Sequence, residues 1–108
     1  MVSDEAVKRA VLSGTCNIYH ACIHNFLHEM NADILKGLYK SSAFVIQASY
    51  FMDTGCYIRS HSELSTMVSQ AEREILSPDY GLSFDELSEK LFTWARLKIL
   101  DGNRNEYN

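Results

Sequence analysis

One proline, Pro78, and five glycines are the only strong chain breakers in 108 residues. A β-sandwich of this length needs a turn signal every ~8–12 residues, so helices joined by few connections are the economical solution. The composition, 46% hydrophobic and 22% charged, belongs to a chain with a core rather than to a disordered or fibrous one. A domain of this size hides a little over ~60% of the surface its unfolded chain exposes. It stands alone, yet gains from a partner.

Periodicity places the elements. From about Asp4 to Met30, Val7, Val11, Ile18, Cys22, Phe26 and Met30 fall on one stripe at 100° per residue, with Ser3 as N-cap and Gly14 a weak point. A second helix runs from about Ile34 to Thr54 and carries Leu35, Leu38, Tyr39, Ala43, Ile46, Tyr50 and Phe51. Its SSAFVIQASYFM run is apolar on most faces, which suits a central helix, and Gly55 supplies the left-handed stop. Three S-x-x-E sequences follow, Ser60 to Glu63, Ser69 to Glu72 and Ser83 to Glu86. Each is a reciprocal capping box that marks a helix start: short helices at about 61–68 and 70–76, then a long one to about Leu100. Leu82 and Leu87 make a hydrophobic staple around the third box. Asp101-Gly102 is read as its end and NRNEYN as a polar tail. The expected fold is all-α, a single domain over 1–108, built as an antiparallel up-and-down four-helix bundle whose third helix is short or broken.

Charge and cysteine usage exclude whole classes of function. The net charge of −4 argues against a protein that neutralises phosphates over its whole surface. The bases are unevenly placed, however: Lys36, Lys40 and Arg59 face only Asp53 between residues 34 and 62. An anion site therefore belongs in that stretch. Cys16, Cys22 and Cys56 are odd in number and match no disulfide framework or C-x-x-C motif; they read as reduced, packing thiols. No leader or spanning segment is recognised, and a cytoplasmic location is expected.

Candidate chemistry is sparse. Cys16, His20, His24 and His28 recur every four residues, but successive members climb ~6 Å along the helix, so at most two neighbours can share one ion. No H-E-x-x-H, G-x-G-x-x-G or P-loop sequence is present, and no acid or oxyanion loop accompanies Cys16 and His20 for nucleophilic catalysis. Neither a metal nor a cofactor is expected. Trp94 and Phe92 read as core. Arg59, Ser60, His61 and Ser62 begin the third helix, where free backbone donors and the dipole favour an anion, with Lys36 and Lys40 one turn apart on the second helix as its border.

The stretch LKGLYKSSAFVIQASYFMDTGCYIRSHSELSTMVSQAEREIL, Leu35 to Leu76, resembles the central part of a HEPN-type domain, the helical partner of minimal nucleotidyltransferases. It shares with that family a lysine-bearing helix, Lys40 to Phe51, ended by a glycine, and a short loop, Cys56 to His61, before the next helix. The Tyr19–His28 segment is similar to the first helix of the substrate-binding C-terminal domain attached to some of these enzymes. The Arg–His separation of the ribonuclease branch is absent, since only one residue parts Arg59 from His61, and so are the Gly-Ser turn and D-x-D of the transferase itself. The resemblance implies a non-catalytic domain, free-standing or the C-terminal half of a longer enzyme. It would bind a nucleotide or RNA end, or dock a nucleotidyltransferase, with Lys36, Lys40, Arg59 and His61 on phosphate. Two other classes stay open: a homodimeric interaction module without ligand, joined through its more apolar helices, and an enzyme. The enzyme would be a divergent HEPN nuclease or toxin, or a metal hydrolase using His20 and His24.

Overall fold

A computed structural model describes residues 4–106, with side chains described for 5–101. Every regular element among them is helical: α1 (Asp4–His24) passing into a π-turn (Asn25–Glu29), α2 (Ala32–Thr54), α3 (His61–Ser65), α4 (Gln70–Leu76) and α5 (Phe84–Glu106). The expected Ser3 cap lies outside the described residues. Gly14 does not interrupt α1; a Cβ there would sit 3.5 Å from Val45 Cγ2, an ordinary contact.

The first half of α1 lies beside the end of α2 and the second half of α5, and its last turns lie beside the start of α5. Both α2 and α5 therefore run antiparallel to α1. On the side away from α1, α4 packs against α2 and α5. The core between these layers joins Ile18 and Cys22 of α1 and Tyr39, Ala43 and Ile46 of α2. Leu64, Ile75 and Leu76 close it from the α3–α4 side, and Leu91, Trp94 and Ala95 from α5. Tyr39 ties the layers together by donating its hydroxyl to the Leu87 carbonyl at 2.7 Å.

Capping explains most helix ends. Ser60, Ser69 and Ser83 each accept from the backbone N–H three residues on. The reciprocal arm expected at all three boxes is formed at Ser83, where Glu86 Oε1 takes the Ser83 N–H at 3.4 Å. At Ser69 the Glu72 carboxylate instead meets Trp94 Nε1 at 3.1 Å and Lys98 Nζ at 3.5 Å, because a buried indole N–H needs an acceptor more than an exposed helix end does. Three boundaries differ from expectation. The third helix stops at Ser65, where Thr66 turns its hydroxyl onto the Glu63 carbonyl. Gly102 does not end α5, since one glycine costs a helix only ~1 kcal/mol. The residues before Ile34 form an N-cap that periodicity overlooks: Asn31 Oδ1 accepts from Asp33 and Ile34 N–H.

The corner between α1 and α2 departs furthest from the sequence reading. The Val11, Ile18, Cys22 stripe is buried as expected, but Phe26 and Met30 are exposed and Asn25 is buried to 1%. Wider π-turn spacing swings the apolar side chains outward. Asn25 fills the vacated position and clamps Asn31, donating from Nδ2 to its carbonyl at 3.0 Å and accepting its N–H on Oδ1 at 3.1 Å. Met30, at φ 50°, completes the turn in a left-handed conformation that costs a side-chain-bearing residue ~1–2 kcal/mol. Replacing Asn25 with Ala strands two backbone groups of Asn31. The expected loss, ~2 kcal/mol, is read as a lower urea midpoint; Asn25→Asp, which at neutral pH buries a carboxylate against the Asn31 carbonyl, should lose at least as much.

Candidate functional site

The outward face of α2 is the most unusual surface. Ile34, Gly37, Ser41, Phe44, Ala48 and Phe51 recur at alternating steps of three and four, the spacing of a coiled-coil seam, and all lie opposite the buried Tyr39–Ala43–Ile46 side. None is charged. Phe44 is 69% exposed, and Phe51, also exposed, meets the exposed Tyr57 ring edge-on at 6.3 Å between centroids. Gly55, at φ 77°, turns the chain so that Tyr57 comes back alongside Phe51. The expectation that α2 sits centrally in the fold is thus corrected. Its apolar excess is not all absorbed by the core, and a whole stripe faces out.

The four expected anion-binding residues flank this face on one side. Lys36 and Lys40 are exposed and share that side of α2 with Gln47, whose buried amide donates to the Ile58 and Arg59 carbonyls at 3.1 and 3.2 Å. Gln47 therefore holds the Arg59–His61 loop against α2, a role no motif announces. Along the helix, however, Lys36 lies about 16 Å from Gln47, and its ammonium sits 5.4 Å from the Tyr80 ring centroid. Arg59 and His61 are exposed. None of the four lines the three clefts described among these residues.

The histidine ladder divides likewise. His24 and His28 rings are 4.9 Å apart, His24 Nε2 is 3.5 Å from Glu29 Oε1, and His20 packs edge-on to Tyr19. No group of three or more His, Cys, Asp or Glu able to hold a metal ion occurs among the described residues. The thiols differ from one another: Cys22 is buried, Cys16 partly buried and Cys56 exposed, so packing accounts for Cys22 but not for Cys56. Burial pushes the Cys22 thiol up to about 11 from an ordinary 9.0 and raises the Tyr39 hydroxyl as well.

Comparison with family models, curated proteins and solved structures gave no match. No helix of the described residues is long and apolar enough to cross a membrane.

The thiol gradient gives two expected outcomes. An aromatic disulfide reagent should label Cys56 fastest, Cys16 more slowly and Cys22 only on unfolding. Because the folded state holds Cys22 protonated above its unfolded pKa, stability should fall as pH rises from about 9 to about 11. Cys22→Ala should flatten that slope in denaturant titrations across the range.

Proposed function

We propose that this chain is a helical interaction module that pairs with a second copy of itself through the outer face of α2. The α3–α4 segment serves as the broken fourth member of the bundle that presents this face. The alternation of large and small residues along the uncharged seam carries the reading. A two-fold axis that sets Phe44 opposite Ala48 also sets Ser41 opposite Phe51 and Gly37 opposite Gly55. Both phenylalanine rings then meet a small residue, the knob-into-hole match an isologous interface requires. No charged side chain lies on the stripe, so two copies bring no like charges face to face.

Magnitudes agree with reversible pairing. The four aromatic rings of a pair gain ~6–12 kcal/mol if fully covered, the same order as the ~4–15 kcal/mol lost on association. The most favourable balance of the two, ~8 kcal/mol, sets a ~micromolar ceiling on the affinity. Sedimentation velocity over a concentration series should show self-association. Phe44→Glu should abolish it while the circular dichroism spectrum keeps its helical form, and Ala48→Leu should weaken it by filling the hole Phe44 needs. A chain that stays monomeric at all concentrations removes the proposal.

A second reading is supported by the Gln47 anchor, which keeps Arg59 and His61 on the same side of α2 as Lys36 and Lys40. That flank would contact the phosphates of a nucleotide or RNA end, as the HEPN resemblance implies. Titration with mononucleotides and a short RNA should then give binding that Arg59→Ala reduces several-fold and added salt weakens. Binding that is absent, or indifferent to Arg59, eliminates it.

A further inference from the structure

A second surface, apart from α2, has the character of a receiving groove. Where α1 enters its π-turn, it and the first half of α5 leave an open cleft of about 520 Å³ between them. Ile23, Phe26 and Leu27 form one wall and Phe92 the other. Leu27 is 63% exposed, and Phe26 is held at the lip by stacking on Phe84, with ring planes 6° apart. Tyr19 stacks on Phe92 from behind, so both aromatic walls are braced from outside the cleft.

The charge at its rim indicates what the groove receives. Asp85 and Glu89 line it, both exposed, and neither has a side-chain hydrogen bond or ion pair among the described residues. Arg96 lies over the Phe92 ring at 6.0 Å, a turn further along α5 and so towards the far end from Asp85. The rim proper is therefore negative. At the floor, Ser88 is 3% exposed, and its hydroxyl is buried with no hydrogen-bond partner although its carbonyl accepts from the Cys22 thiol at 3.5 Å. Such a group is unusual in a finished core, and here it borders an open cleft.

We propose that this groove binds an amphipathic helical segment of a partner protein, with leucine-like side chains between Phe26, Leu27 and Phe92 and Lys or Arg side chains on Asp85 and Glu89. Helix-in-groove recognition reads anchors at i, i+3 or i+4, and i+7. A cleft of this volume takes two or three such side chains, and an unpaired acidic rim selects a basic flank over an acidic one. No α2 residue lines the groove, so the inference does not depend on pairing through α2.

Fluorescence anisotropy of a labelled eighteen-residue amphipathic helix of Leu and Lys, with its Leu–Glu counterpart as control, provides the test. It is run on the native chain and on Phe44→Glu, which takes self-pairing out of the measurement. The Leu–Lys helix should bind both proteins alike and the Leu–Glu helix at least tenfold more weakly. Glu89→Lys should weaken the Leu–Lys helix about tenfold, and Phe26→Asp should remove its binding. Glu89 is exposed within α5 and away from its first turn, so this variant stays decisive should Phe26→Asp fail to fold. A charge reversal at Glu63 on α3 should have no such effect. Equal binding of the two peptides, an equal loss from Glu63→Lys, or indifference to Glu89→Lys would overturn the proposal. So would occupancy by phenylethylamine, a small apolar cation, where the helix itself does not bind.

Discussion

The two hydrogen bonds between the Asn25 side chain and the Asn31 backbone decide how the rest of the molecule is arranged. Between α1 and α2 the chain reverses with only Met30 and Asn31 outside regular structure. A reversal that tight leaves backbone donors and acceptors near the core with no helix to satisfy them. Asn25 takes one of each, and Asn31 caps α2 with its own side chain. With that corner closed, α2 lies antiparallel along α1, and Tyr39 comes into reach of the Leu87 carbonyl on α5. The extra width of the π-turn has a further effect. It turns Phe26 and Met30 out of the core stripe, and Phe26 becomes part of the wall of the cleft beside α5.

The elements were legible to the degree that local chemistry specifies them. Ser60, Ser69, Ser83 and Gly55 begin or end helices through hydrogen bonds or a backbone conformation that neighbouring residues supply, and each does so where the sequence places it. Asn25 was not legible, because an asparagine within an otherwise periodic helix looks like a surface residue until its partner six positions on is known. Phe26 and Met30 failed for the same reason: strict 3.6-residue periodicity assumes that the helix does not widen. The S-x-x-E spacing assigns Glu72 to a capping arm, and only the packing of α4 against α5 shows that a tryptophan claims it.

Functional surfaces were less legible than structural ones. Apolar content along α2 was evident, but the same residues specify a buried helix or a helix with an open seam, and burial alone separates the two. Residue type marks the histidines and the Arg59 loop, whereas the groove is made of ordinary core-type residues whose displacement has no compositional trace. Of the residues that shape it, Asp85 and Glu89 would have passed for routine helix-surface acids. Ser88 would have passed for a small residue on a polar face.

The bond from the Trp94 indole to Glu72 couples α4 to the only tryptophan in the chain. Emission from that ring is sensitive to the wetness of its surroundings, and α4 is what keeps water from it on this side. Should the α3–α4 segment lift away while the three long helices stay assembled, the emission would shift to longer wavelength before helical content fell. The molecule thus carries its own optical reporter of partial opening, without an attached dye.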